Sequence, residues 1–263
     1  MTQRIMVAGE QAWLKRYPSG RRRLRLGALD ATTRKMGLEP LRPPPHHGGD
    51  LASSVEKRRI EQLSSLGIHV PEILGEGAGT LLLSDLGPTL SSRLRECVDD
   101  PTHTDALVSA AIAAIVEVHR RGAYLGQPWP RNMTYRDGRV GFLDFEEDPL
   151  EVMTLEQAQA RDWLLFAHGT TRFYRNRPEV LVGMLRGALQ AVPGHVAENM
   201  ADVGARLRPL SRLLKGLGSL AGPLALSLKV IRAAAVPLLL LFALSIGVDW
   251  LSDGDLDLLE ALI

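Results

Sequence analysis

The stretch from His119 to Asp148 reads HRRGAYLGQPWPRNMTYRDGRVGFLDFEED, and the order of its signals predicts the local fold. Gly122 follows an apolar helical segment, so we expect a helix to end there with a glycine cap. Asp137 and Gly138 lie between two short apolar runs, which is a strong β-hairpin signal. The stretch therefore predicts a helix, a proline-containing loop and a hairpin that ends at Asp144.

Two side chains in this stretch carry oxygen atoms of the kind that bind magnesium. Asn132 lies in the loop before the hairpin, and Asp144 lies at the end of its second strand. Magnesium is a hard cation that prefers carboxylate and amide oxygens. The residues before and after the hairpin are thus candidate metal ligands.

The arrangement resembles the protein-kinase-like superfamily, in its branch of aminoglycoside phosphotransferases, choline kinase relatives and lipopolysaccharide-core (Kdo and heptose) sugar kinases. Their loop reads roughly His-Gly-Asp-x-His-x-x-Asn, and Asp-Phe-Glu commonly follows the hairpin, as it does at 144–146 of this chain. The resemblance implies that Asn132 and Asp144 hold Mg²⁺ against the phosphates of ATP.

The loop departs from the family pattern at its catalytic position. Gln127 stands five residues before Asn132, where the family has the catalytic Asp, while Leu125 and Trp129 stand at the two His positions. An amide cannot accept the proton of an attacking hydroxyl near neutral pH, so Gln127 can orient a substrate but cannot act as a general base. We therefore expect weak or absent turnover.

Length and composition set the broad class of the protein. The 263 residues, 45% of them hydrophobic and 23% charged, are typical of a globular chain with room for two lobes. A formal net charge of +1 predicts no nucleic-acid partner. The single cysteine, Cys97, excludes an internal disulfide framework, and the first ten residues lack the apolar core of a signal peptide. We expect a cytoplasmic location.

Near the N-terminus, two short strands are predicted at Arg4 to Val7 and Ala12 to Tyr17. The resemblance places Lys15 on the strand whose lysine contacts the α- and β-phosphates of ATP. Two alternatives stay open, because Lys15 can be the solvent-facing residue of an edge strand and Arg16 is a competing cation one residue away. Fourteen residues precede Lys15, so the glycine-rich loop over the phosphates is expected to be missing or reduced.

A helix is predicted from Asp50 to Leu66, with Gly67 ending it. Its apolar face is read as Leu51, Val55, Ile60, Leu63 and Leu66. By the resemblance, Glu56 forms the ion pair that holds Lys15 against the phosphates. Glu61 is the alternative partner, and surface pairing with a neighbouring cation is possible for either glutamate.

The resemblance assigns two further positions. After strands at 73–74 and 80–84, Asp85 and Leu86 lie at the hinge between lobes, where backbone groups would hold adenine. In the segment QARDWLLF, Asp162 is the candidate residue that braces the catalytic loop, and Arg161 is the neighbouring residue to compare with it.

Charge and hydropathy suggest contact with a membrane. Residues 1 to 60 hold 13 Lys or Arg against 5 Asp or Glu, which can attract phosphates or anionic lipid, or can be a solvated helix face. Residues 233–248 carry no charge but fall short of the roughly 20 that span a bilayer. Extended to 233–251, the stretch is either a buried helix or an attachment to the inner membrane.

The overall expectation is an α+β, two-lobed kinase-like fold with a reduced N-lobe sheet and a mainly helical C-lobe. The divisions are residues 1–86, with a linker at 40–49, then 87–215, and an apolar C-terminal segment at 216–263. The implied function is an ATP- and Mg²⁺-dependent phosphotransferase for a sugar or lipid-linked hydroxyl. The alternatives are a nucleotide-binding pseudokinase at the inner membrane face, and a peripheral protein that binds anionic lipid.

Overall fold

The computed structural model describes residues 1–18, residues 30–192 apart from 32 and 36, and residues 196, 199 and 230. These residues form an α+β structure with a small antiparallel sheet and several helices. This coarse part of the expected fold is confirmed. The apolar stretch 233–251 and nearly all of the predicted segment 216–263 lie outside the described residues.

The larger sheet has four antiparallel strands in the spatial order β1-β2-β4-β3. The strands are β1 (Thr2–Val7), β2 (Glu10–Arg16), β3 (Ile73–Gly77) and β4 (Thr80–Ser84). Ala8 and Gly9 both have positive φ and make the tight turn between the first two strands. Lys15 pairs with Leu81 across β2 and β4, so the lysine lies on an inner strand.

Helix α1 (Gly49–Ser65) follows the proline-rich linker and contacts β4. Its buried face is Ala52, Val55, Glu56, Arg59, Ile60 and Leu63. The prediction that Leu51 belongs to this face is wrong, because its side chain is 55% exposed. The buried face of α1 does not follow the apolar residues alone, because it includes the polar residues Glu56 and Arg59.

The rest of the described chain is mainly helical. Its elements are α2 (Leu90–Glu96), α3 (Pro101–Arg120), β5 (Met133–Arg136), β6 (Arg139–Phe142), α4 (Leu155–Thr171) and α5 (Pro178–Ala191). Helix α3 begins at Pro101, because the Asp100 side chain accepts a hydrogen bond from the His103 backbone and Pro101 suits the first turn. Thr154 and Gln157 form a full capping box at α4.

One continuous apolar core joins the sheet to the helices. It runs from Leu81 in β4 and Leu63 in α1 to Ile115 in α3 and Trp163 in α4. Fully burying an aliphatic side chain stabilises a fold by about 1.5–3 kcal/mol, so this shared core fixes the sheet against the hairpin and the helices. Within the described part of the chain, no helix is both long enough and apolar enough to cross a membrane.

Candidate functional site

Lys15 lies where the sheet, α1 and the end of β6 meet. Its Nζ atom is 2.7 Å from Glu56 Oε2, 2.5 Å from Asp144 Oδ1 and 3.3 Å from Glu146 Oε2. Burial opposes the charged form of this lysine. The carboxylates of Glu56, Asp144 and Glu146 outweigh burial and raise the pKa of Lys15 above its ordinary value. The side chain is therefore a fixed cation in a site rich in carboxylates.

Glu56 is the partner that α1 supplies to Lys15, as expected. Its side chain is only 1% exposed, and the Tyr17 hydroxyl also donates to Glu56 Oε2 at 2.6 Å. Burial raises the pKa of Glu56, and the charge of Lys15 works against that rise. Both alternatives face solvent, since Glu61 and Arg16 are exposed. The structure thus brings Lys15 and Glu56 together.

Asp144 has an unusual backbone conformation with φ of 68°. Among the described non-glycine residues, the others with positive φ are Ala8 and Asp137, and both lie in hairpin turns. Asp144 lies outside any hairpin turn, and a strained backbone of this kind persists only where the surroundings enforce it. One carboxylate oxygen meets Lys15, and the other accepts a hydrogen bond from Asn132 Nδ2 at 3.3 Å.

Asp162 braces the loop before the hairpin. Its fully buried carboxylate accepts hydrogen bonds from the backbone of Leu125 and Gly126, each at 2.7 Å, and lies 3.0 Å from His119 Nε2. Arg161 also touches the loop, because its Nε donates to the Gly126 carbonyl at 3.3 Å. Asp162 thus binds backbone N–H groups of the loop, and Arg161 binds a backbone carbonyl of the same segment. The contacts of Asp162 are the shorter ones.

Close packing of α4 against the loop depends on a glycine. A Cβ atom at Gly169 would lie 2.5 Å from Pro130 Cδ and 3.0 Å from the Trp129 ring. Any larger residue would push the loop away from the helix. The position of Asn132 follows from this contact, because Asn132 ends the short 3₁₀ turn that Pro130 begins.

Gln127, at the expected catalytic position, contacts a carboxylate. Its Nε2 donates to Glu147 Oε2 at 2.5 Å, and its backbone carbonyl accepts from Asn132 Nδ2 at 3.2 Å. Sequence reasoning did not single out Glu146, Glu147 or Tyr17. The acidic run 144–148 was the available signal for the two glutamates, but it did not show which residue each would face.

The site opens into a cavity of about 320 Å³ between the sheet and the hairpin. Lys15, Glu56, Asn132 and Asp144 all line it, and Trp13 and Leu83 add apolar wall. The predicted hinge residues Asp85 and Leu86 are not among the residues that line the cavity, although the preceding residue, Ser84, is. Four polar side chains, from β2, α1, the loop before the hairpin and the end of β6, therefore converge on one cleft.

The Asp85 side chain links β2 to the hairpin. It accepts hydrogen bonds from Trp13 Nε1 at 2.8 Å and from Arg136 Nη2 at 2.6 Å. Burial opposes ionisation of Asp85, but these two donors outweigh it and lower the pKa of the carboxyl below its ordinary value. The neighbouring Leu86 is buried. The contact fixes the orientation of the Trp13 ring at the cavity wall.

The residues present fit a divalent cation. Carboxylate oxygens of Glu56, Asp144 and Glu146 lie within 4.8 Å of one another, and Asn132 contacts Asp144. The three carboxylates are hard oxygen donors of the kind that magnesium prefers, and Asn132 reaches Asp144 through its Nδ2 atom. The Lys15 ammonium lies among the same oxygens. It supplies the positive charge that holds these like-charged groups together.

Comparison of the chain with models of protein families and with curated protein sequences finds no match. The residues of the cleft and their contacts are therefore the basis for assigning a function.

Proposed function

We propose that the protein is an atypical ATP- and Mg²⁺-dependent phosphotransferase with a two-lobed kinase-like fold, similar to lipopolysaccharide-core sugar kinases. Its acceptor is a sugar or lipid-linked hydroxyl. One observation carries the proposal: Lys15 of β2, Glu56 of α1 and Asp144 after β6 form one ion-pair cluster, with Asn132 on Asp144. Lys15 and Asp144 are 129 positions apart in sequence.

The residues divide the work of binding a nucleotide. Lys15 remains charged at neutral pH, so it can bind phosphate oxygens as a fixed cation. Glu56, held by Tyr17, keeps the lysine pointed at the cleft. Asn132 and Asp144 would hold Mg²⁺, which neutralises charge on the phosphates when it is bound. Trp13 and Leu83 offer an apolar wall for the adenine base of the nucleotide.

Most of the catalysis of phosphoryl transfer comes from positioning and electrostatic stabilisation. An amide at position 127 leaves these contributions in place. General-base help is typically worth about 10²–10⁴-fold, and the Gln127 side chain itself supplies none of it.

A second candidate is a nucleotide-binding pseudokinase that serves as a regulatory or scaffold protein at the inner membrane face. Gln127 favours it, because an amide stands where the reaction needs a base. The excess of cations in residues 1 to 60 would attract an anionic membrane surface or a lipid-linked acceptor. Turnover separates the two candidates, since both predict ATP binding.

A thermal-shift titration with ATP and Mg²⁺ tests the proposal. The melting temperature should rise with ligand concentration, because a ligand that binds the native state at 100 times its Kd stabilises it by about 2.7 kcal/mol. Lys15→Met should reduce the shift strongly, and Arg16→Met, at the exposed neighbour, should leave it unchanged. An absence of any shift at millimolar ATP would overturn both candidates.

Release of inorganic phosphate then distinguishes an enzyme from a pseudokinase. The measurement uses the full chain with ATP and Mg²⁺, first with water as the acceptor and then with Kdo or a heptose. The phosphotransferase proposal predicts slow release or transfer. ATP binding with no turnover on any acceptor would favour the pseudokinase.

A further inference from the structure

Glu147 is a carboxylate close to the position where the loop lacks one. The Gln127 amide donates to Glu147 Oε2 at 2.5 Å, which places the carboxylate within one hydrogen bond of the expected catalytic position. The Glu147 side chain is 20% exposed, so solvent or a substrate can reach it. It lies only three residues after Asp144.

The two adjacent glutamates face different partners. Glu146 lies 3.3 Å from Lys15 at the phosphate end of the site, whereas Glu147 contacts Gln127. One acidic run therefore contacts both Lys15 and Gln127.

A continuous polar chain connects these regions. Lys15 contacts Asp144, Asp144 accepts from Asn132, the same Asn132 amide donates to the Gln127 carbonyl, and the Gln127 side chain donates to Glu147. Glu147 is thus at the opposite end of the chain from the lysine. In phosphoryl transfer the acceptor and the leaving group lie roughly in line, so the acceptor approaches from the side away from the bound phosphates.

The Glu147 carboxylate has basic and hydrogen-bonding side chains around it. His46 Nδ1, from the linker, lies 3.7 Å from Glu147 Oε1. The buried guanidinium of Arg161 is also near. Burial lowers the pKa of Arg161, and the charge of Glu147 is the first of the interactions that oppose this. The Gln127 amide completes the set with a hydrogen bond to the other oxygen.

We propose that Glu147 is the general base of this site and that Gln127 positions it. This inference rests on the proposed phosphotransferase function. The Glu147 carboxylate takes the proton of the acceptor hydroxyl, or of water, while the acceptor oxygen forms a bond to the γ-phosphorus of ATP. The bond from that phosphorus to the β–γ bridging oxygen breaks, ADP leaves with the electron pair, and Glu147 then returns the proton to solvent.

A purely structural role for the contact makes different predictions. If Glu147 only ties the loop to residues 144–149, then Glu147→Gln changes the melting temperature but not the dependence of turnover on pH. A general base gives the rate an acidic limb, which disappears when the base is removed. The pH profile is therefore the readout that separates the two roles.

The test measures phosphate release from ATP and Mg²⁺ with water as the acceptor, across pH, in the full-length protein. Glu147→Gln should lower the rate by about 10²–10⁴-fold and remove the acidic limb, while the shift in melting temperature on ATP binding is retained. Glu147→Asp should keep the limb at a reduced rate. Glu151→Gln is the matched control, because Glu151 lies four residues further along and pairs with His47 instead.

Each outcome decides the assignment. A wild-type rate and pH profile in Glu147→Gln would overturn it. So would a wild-type protein that binds ATP but releases no phosphate, although the nucleotide-binding proposal would survive that result. Failure of ATP to shift the melting temperature of the wild type would overturn the phosphotransferase proposal and this inference together.

Discussion

The proposed site has two parts, a phosphate-facing half around Lys15 and the loop beside it, and these parts match the kinase-like pattern to different degrees. The first half keeps the residue types of the pattern, and Lys15, Glu56 and Asp144 form close ion pairs. The loop keeps its backbone support from Asp162 but has Gln127 where the pattern has a carboxylate. The hydrogen bonds that support the loop are therefore independent of the side chain at the catalytic position.

This difference shows what maintains the loop. Its conformation depends on the hydrogen bonds that the backbone N–H groups of Leu125 and Gly126 donate to Asp162, and on close packing against Gly169. None of these contacts involves the side chain at position 127, so that side chain can change without loss of the loop. The consequences can be ordered by size, beginning with the support itself.

The largest expected effect is on stability, from Asp162→Ala. The change would leave two buried backbone N–H groups and His119 without their acceptor. Removing one partner from a buried charged network typically costs about 3–5 kcal/mol. Denaturant unfolding should show this loss, and Asp99→Ala, at an exposed turn residue, should change stability by less than about 0.5 kcal/mol. Equal stability of the two variants would contradict the bracing role.

The next effect concerns the dependence of stability on pH. The rings of Trp129, in the loop, and His168, in α4, meet edge to face, and their centroids are 5.5 Å apart. Burial, with the nearby charge of Arg172, lowers the pKa of His168 to about 4, from an ordinary value of 6.5. Between these values the unfolded chain binds more protons than the folded one, so stability is lost as the pH falls through this window. From pH 7 to pH 5, His168 should lower the free energy of unfolding by on the order of 2 kcal/mol.

Comparison of variants isolates this contribution. His168→Gln should lose less stability than the wild type between pH 7 and pH 5, measured by denaturant unfolding at each pH. His103→Gln removes an exposed histidine and should follow the wild type. If the wild type and His168→Gln lost the same amount of stability, the neutral state of His168 in the fold would be ruled out.

A smaller stability effect is expected in the phosphate-facing half, from Glu56→Gln. The variant keeps an acceptor for the Tyr17 hydroxyl, and Lys15 retains Asp144 and Glu146, so the loss should be about 1 kcal/mol. The shift in melting temperature with ATP and Mg²⁺ should nevertheless fall, because the lysine is less well oriented. Glu61→Gln, exposed on the same helix, serves as the control. A full ATP-dependent shift in Glu56→Gln would remove Glu56 from the site.

The sequence predicted best those features that depend on neighbours along the chain. The Asp137-Gly138 hairpin and the helix that carries Glu56 follow from local signals, and both are present. The choice of Glu56 over Glu61 required the fold, because only the position of α1 against the sheet decides which glutamate is buried.

Two features could not be read from the sequence for physical reasons. Leu51 is exposed because the buried stripe of α1 includes the polar Glu56 and Arg59, which a search for apolar residues alone ignores. The partners of Glu146 and Glu147 are Lys15 and Gln127, which are distant in sequence and are brought close only by the tertiary fold. The sequence alone therefore did not show which partner each of these two glutamates contacts.

The central claim is that the phosphate-facing half binds ATP through a metal held at Asp144. The most direct measurement is the Mg²⁺-dependent part of the ATP-induced thermal shift in Asp144→Asn, with Asp137→Asn as control. Both changes remove one carboxylate at a residue with positive φ in the same hairpin region, and asparagine tolerates that backbone. We predict that Asp144→Asn stays folded and loses the Mg²⁺-dependent shift, while Asp137→Asn keeps it. An undiminished Mg²⁺-dependent shift in Asp144→Asn would contradict the account.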